Sequence, residues 1–342
     1  MPSRKPAPAQ LAGLVFLALL TLGTETLPEV LSAAGGAAWL CPLAAGAVVL
    51  PPAFLMTRQP LAGRELLTGR THPVGAKLAA VLYLLWGLAV AAEQADRVGQ
   101  RLSDDLRGSP LVLTAAVLVL AVWMAAGGLA AMGRAGQIFI MAVGLTFFII
   151  VLFGLPGLRW DWLILWRGED LREIPQCATA AAGELSVGLY ALFLLEDLEE
   201  KGEEGGPRRL AALFPLLALG TLLAAGRLGP GLAHRIESPF FQMVSGLGFQ
   251  GAFQRLEELV SALWLLGDLT LLALLLLCLR KLWAKALGRR ERAGQVWLLG
   301  GAVLALTVWS RGTVWMTEAV MTAGGLTAGV VLTGLTAVSK KI

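Results

Sequence analysis

Two short stretches place acids and hydroxyls inside otherwise apolar runs. The first is Gly23, Thr24, Glu25 and Thr26, followed by Pro28 and Glu29, in a run that opens near Gln10. The second is Gly183, Glu184 and Ser186, with Gly188 just beyond. A third acid, Asp268, stands in ALWLLGDLTLLALL. A carboxylate at the centre of a bilayer costs about 2.5–3.5 kcal/mol on insertion scales, so such residues face an interior that holds a partner or a ligand. Glycine and proline interrupt a helix, and the hydroxyls of Thr24, Thr26 and Ser186 bind either sign of charge. The chemistry on offer is recognition. A half-helix N-terminus presents N–H donors to an anion, while carbonyls and carboxylates receive a cation. Plainer readings stand beside this one. Asp268 is equally explained by an interhelical hydrogen bond. Glu25 with Glu29 would also suit an extracellular mouth, and Glu184 could be a packing polar residue.

The elements that must position these residues are membrane helices. The chain is 56% hydrophobic and 15% charged, with a mean hydropathy of +0.71; soluble chains carry about 25% charged residues. Runs of about 18 or more apolar residues are each long enough to cross the hydrocarbon as a helix. The short alternating segments of a β-barrel do not occur. The pattern predicts ten spans: Gln10–Ala34, Trp39–Met56, Val74–Ala92, Pro110–Ala131, Gln137–Leu155, Ala178–Leu195, Leu210–Ala225, Leu256–Leu279, Gln295–Trp309 and Val314–Val338. Both termini and the even-numbered loops hold eighteen Lys and Arg, against ten in the odd loops. That bias predicts cytoplasmic termini. The acid-rich stretch from Glu196 to Arg209 reads as a cytoplasmic linker between two halves, about 10–155 and 178–338, of one polytopic domain. Arg4 and Lys5 before an apolar core resemble a signal peptide, but the TETLPEV that follows is a poor cleavage region, so the segment is kept as a span.

Other chemistries are not encoded in any motif. Cys41, Cys177 and Cys278 are far apart and read as small packing residues. The two histidines, His72 and His234, fall in predicted loops, and no phosphate loop, nucleophile elbow or metal-ligand spacing occurs. The chain is therefore expected to be no enzyme, to need no cofactor and to bind no nucleic acid. Trp39, Trp160, Trp162, Trp166, Trp283 and Trp315 lie near span ends, as interfacial anchors do. The stretch from Leu158 to Asp170 reads as an amphipathic segment lying on the membrane.

If the halves are repeats, the interrupted span six corresponds to the interrupted span one. Paired Gly- or Pro-interrupted segments at matching places are the strongest sequence pointer to a transporter-type binding site. The expected site is Gly23, Thr24, Glu25, Thr26, Gly183, Glu184, Ser186 and Asp268, with spans one and six unwound near Gly23–Thr26 and Gly183–Ser186.

The stretch from Glu237 to Asp268, ESPFFQMVSGLGFQGAFQRLEELVSALWLLGD, resembles the approach to span eight in the spore germination permease family, the B subunits of GerA-type germinant receptors. A Pro-led segment and a Gly-Phe turn precede Arg255, Leu256 and Glu257, with Trp264 following. The opening PAPAQLAGLVFLALLTLGTETLPEVLSAAGGAAWL is similar to the family's start. Arg134 in AAMGRAGQIFI matches a turn between spans four and five, and the family's Gly-Glu pair falls on Gly183 and Glu184. The chain departs from the family in its Ala/Gly/Leu richness and in Glu25. The resemblance implies an amino acid–polyamine–organocation superfamily fold: all-α, ten spans, a LeuT-like five-plus-five inverted repeat with spans one and six broken. It also implies a spore inner-membrane subunit that binds a small germinant, typically an amino acid, and signals with A and C subunits. The competing expectation is a proton- or sodium-coupled amino acid transporter on the same fold, since fold alone does not assign function.

Overall fold

A computed structural model describes residues 5–25, 30–31, 34–58, 73–164, 168–198, 206–233, 235–236, 238–247 and 256–311. Every regular element described is helical, as a chain must be when hydrocarbon offers no partner to its backbone groups. Among the described residues, six helices are long and apolar enough to cross a membrane, and three shorter apolar helices match predicted spans two, four and nine. Predicted span ten, Thr26, Trp166, Trp315, both histidines and the acid run 199–205 lie outside the described residues.

Span five shows why these helices belong in lipid. On Leu129–Gly154, Ile138, Met141, Leu145, Phe148 and Leu152 are exposed, while Val143, Phe147 and Ile150 are buried. Both faces are apolar, so the outward stripe suits hydrocarbon and not water.

The helices pair in a two-fold pattern. Span one packs on span seven, and span two packs on span six. Span four lies against span eight as span nine lies against span three, and spans three and eight pair directly. Over spans one to nine this is the pairing expected of a LeuT-like repeat.

Several boundaries move. Span three, expected to end at Ala92, runs as one helix from Pro73 to Leu106. Its second half is polar on one face, yet Ala95 and Val98 are fully buried on another, so the helical period continues after the hydropathy falls. The turn between spans four and five lies at Gly127–Gly128, where Gly128 has φ +82°. Arg134 therefore sits inside the span-five helix and not in a turn. The linker between halves is shorter than expected, because Glu196 and Asp197 end span six and Gly206 begins the span-seven helix.

Among the described residues, Gly23, Thr24 and Gly183 are not unwound as expected. Span one is α-helical from Pro8 through Glu25, so Gly23 and Thr24 are not unwound. Gly23 serves packing: a Cβ there would stand 2.6 Å from Leu217 of span seven. Span six is α-helical over Gly168–Leu185 and continues as a 3-10 helix over Ser186–Asp197. Its interruption is a change of helix type beside Ser186, not an open stretch. The Ser186 hydroxyl donates to the Gly183 carbonyl at 2.5 Å, which ties one side of the change to the other. Gly188, like Gly23, admits a neighbour, with Leu19 of span one 2.6 Å from where its Cβ would be. Small residues of this kind let membrane helices approach closely.

The 3-10 half of span six is fixed at several points. The Tyr190 hydroxyl donates to the Tyr83 carbonyl at 2.5 Å, and the Cys278 thiol donates to the Tyr190 carbonyl at 3.2 Å. The Tyr190 ring packs 5.0 Å from Trp86 and edge-on to Tyr83 at 6.0 Å. Lys281 of span eight, only 6% exposed, closes the end on Asp197 at 2.8 Å. None of the three cysteines is in a disulfide, and all three are buried.

Candidate functional site

The extended second half of span three builds the site. Glu93, Arg97 and Arg101 recur at four-residue spacing along one face of this helix, with Gln94 beside Glu93. Arg101 reaches two acids at once: its Nη1 bonds Glu25 of span one, and its Nη2 bonds Asp268 of span eight. Gln94 donates from Nε2 to the other Glu25 oxygen at 2.9 Å. One turn away, Arg97 donates to Glu93 at 3.1 Å and to Glu184 of span six at 3.3 Å. Farther out, Arg311, just past span nine, holds Asp96 with bonds of 2.6 and 2.8 Å.

Glu25, Glu184 and Asp268, picked out from sequence as separate acids, are thus gathered around two arginines of one helix. Side-chain exposure is 0% for Asp268, 6% for Glu184, 11% for Arg101 and 12% for Glu25. At such burial salt does not screen the charges, and each depends on its partner for its solvation. The bridge of Arg101 also ties spans one, three and eight together.

Other expected ligands are already engaged. The Thr24 hydroxyl donates to the Thr21 carbonyl at 2.7 Å and accepts from Trp264 Nε1 at 2.7 Å. Gly23 and Gly183 contribute packing and a carbonyl, as described above. Trp264 stands 5.0 Å from Phe240, and Phe241 lies under the Arg101 guanidinium at 5.4 Å. Both phenylalanines come from the short helix Pro239–Ser245, so the segment that carries the family resemblance walls one side of the charged cluster.

Sequence reading missed Gln94, Arg97 and Arg101. The signal was present in the spacing of EQADRVGQR: its polar residues recur at helical period while Ala95 and Val98 keep the opposite face apolar. Counting Arg97, Arg101 and Arg311 as loop residues hid it.

Among the described residues, Gln94 Oε1 and Arg101 Nε are buried in this cluster with no hydrogen-bond partner, while the Asp268 carboxylate faces the Thr21 hydroxyl as well as Arg101. One is an acceptor and the other a donor, and buried polar atoms are rarely left so. No cluster of three or more His, Cys, Asp or Glu among the described residues is placed to hold a metal ion. A separate pocket between spans one, five and seven is lined by Phe16, Leu20, Ile140, Phe147, Phe148 and Leu219. It has no polar group to orient a ligand.

Comparison with known families finds no match for this chain, and comparison with curated proteins finds none. Among solved structures, the crystal structure of MhsT in complex with L-phenylalanine superposes with a TM-score of 0.67. The alignment covers 98% of this chain and 88% of MhsT at 16% sequence identity. Likeness at that identity concerns the fold, and with the helix pairing it establishes that this chain is an all-α membrane protein of LeuT-like fold.

Proposed function

We propose that the chain binds a small amino acid at the cluster of Glu25, Gln94, Arg101, Glu184 and Asp268, and that it does so as the membrane subunit of a spore germinant receptor. The observation that carries the binding reading is the pair of unpartnered atoms, Gln94 Oε1 and Arg101 Nε, beside the buried carboxylates of Glu25 and Asp268. An α-ammonium group would donate to Asp268 Oδ1 and Gln94 Oε1, and an α-carboxylate would accept from Arg101 Nε. Phe240, Phe241 and Trp264 stand ready beside them for an apolar side chain. Leaving a buried polar group unsatisfied costs about 1–3 kcal/mol, so a ligand that answers both recovers that cost.

The receptor role rests on the family resemblance. In this reading the chain lies in the spore inner membrane with both termini cytoplasmic, and ligand binding is passed to A and C subunits. A second reading is favoured by the fold neighbour, which was crystallised with L-phenylalanine: a proton- or sodium-coupled amino acid transporter.

Thermal unfolding of the purified full chain against a panel of amino acids tests the binding reading. A ligand at a hundred times its Kd stabilises by about 2.7 kcal/mol, a clear rise in Tm. No stabilisation by any amino acid would remove the assignment. For a ligand that does bind, gradient-driven uptake into proteoliposomes favours transport. Binding without uptake, with germination restored in spores by co-expressed A and C subunits, favours the receptor.

A further inference from the structure

At the end of span eight the chain turns back into span nine through Gly288–Gly294, GRRERAG. Gly288 adopts φ +62°, a left-handed conformation that favours glycine, and ends the helix. The Arg289 amide then donates to the Ala284 carbonyl at 2.9 Å. Gln295 clamps the other side: its Nε2 donates to the Arg290 carbonyl at 3.2 Å, and its Oε1 accepts from the Arg292 amide at 3.0 Å. The turn is short and held at both ends.

Its charges are lopsided. Lys281 is paired with Asp197, and Glu291, the turn's single acid, is paired with Arg280 at 3.3 Å. Lys285, Arg289, Arg290 and Arg292 are in no ion pair among the described residues, and the three arginines are exposed. The carbonyl end of span eight attracts cations, which accounts for Lys285. It does not account for the three exposed arginines beyond the helix end; in the cytoplasmic orientation that the charge bias predicts, they face an anionic leaflet. Directly below, Leu287, Trp297 and Leu298 are 49%, 51% and 58% exposed, side chains that suit the boundary of hydrocarbon.

We propose that the Gly288–Gly294 turn binds the phosphate of an anionic lipid headgroup. Guanidinium forks grip phosphate oxygens in pairs. Basic clusters just beyond a span gain about 1 kcal/mol per residue at an anionic leaflet. The acidic residues 199–204 are a poorer partner, because Lys201, Arg208 and Arg209 accompany them in sequence. The inference does not depend on what the interior site binds.

The test compares Tm of the full chain in nanodiscs of phosphatidylcholine with Tm in nanodiscs that also contain phosphatidylglycerol. The wild type should gain about 3 °C or more from phosphatidylglycerol at low salt, and the gain should vanish near ~0.5 M NaCl. The triple variant R289Q/R290Q/R292Q should melt like wild type in phosphatidylcholine and lose most of the gain. Lys77→Gln, which removes an exposed cation from the start of span three, should keep it. Glycerol phosphate added to phosphatidylcholine discs should not reproduce it. The proposal fails if the triple variant keeps the gain, if Lys77→Gln loses as much, if free glycerol phosphate suffices, or if the wild type shows no gain.

Discussion

Span three meets span six at two places, Tyr83–Trp86 and Arg97–Arg101, and the two contacts are built from opposite chemistry. Near its start, Tyr83 and Trp86 pack with Tyr190 and Phe193 in an aromatic knot. Near its end, Arg97 and Arg101 hold Glu184, Glu25 and Asp268. The knot has a strong hydrogen bond of its own, but its energy is mostly contact and burial, and it fits one arrangement of the helices. The ionic contact can be rewritten, because each charge accepts a substitute partner. The difference suggests a division of labour in which the aromatic end holds the helices and the ionic end exchanges partners with a ligand.

Removing Arg101 should break the comparison most severely. Arg101→Ala leaves two buried acids facing each other and should cost about 3–5 kcal/mol, read as a large loss of Tm or of folded yield. Arg101→Lys keeps the charge without the two-armed fork and should fall between. Adding Glu25→Gln and Asp268→Asn to Arg101→Met should recover most of the loss, since a neutral set needs no cation. If the triple variant is as unstable as Arg101→Ala, the arginine acts by shape and not by charge.

A smaller effect, on binding, is expected at Glu184. Glu184→Gln keeps the volume but removes a carboxylate that, in the proposed site, shares the ligand's ammonium group with Asp268, while Arg97 keeps its bond to Glu93. A charged hydrogen bond contributes about 1.5–3 kcal/mol, so affinity for the amino acid should drop roughly ten- to a hundredfold while Tm without ligand changes little. An unchanged dose response at normal expression would take Glu184 out of the site.

The smallest effect belongs to the aromatic end. Tyr190→Phe removes the bond to the Tyr83 carbonyl and keeps the ring, for about 0.5–1.5 kcal/mol of stability. Ligand affinity should stay as in wild type. An affinity loss in Tyr190→Phe larger than that in Glu184→Gln would show that the two ends do not divide their work as described.

Much of this layout was legible from residues alone. Apolar runs separated by charge mark spans because hydropathy is a one-dimensional property, and an acid inside such a run stands out. Glu25, Glu184 and Asp268 were visible for that reason. Arg97 and Arg101 were not, because they follow the point where hydropathy falls, and a window average cannot tell a loop from a helix with one polar face inside the protein. Their periodicity could. The glycines misled in the other direction. Gly23 reads as a helix breaker, but its value is the space it leaves for Leu217, and nothing in the sequence names the neighbour. The change to a 3-10 helix at Ser186 was legible only as an interruption, because the local residues Gly183, Ser186 and Gly188 fit several kinds of break.

That change has a consequence in length and in phase. A 3-10 helix rises about 2.0 Å per residue, where an α-helix rises about 1.5 Å. The twelve residues from Ser186 to Asp197 therefore reach about 24 Å, some 6 Å farther than the same residues coiled as α. The added reach brings Asp197 to Lys281. With three residues per turn, Val187, Tyr190 and Phe193 stack directly above one another as a straight ridge, and all three are buried. Tolerance to substitution along this half of span six should accordingly repeat every third position, a rhythm foreign to the α-helices described.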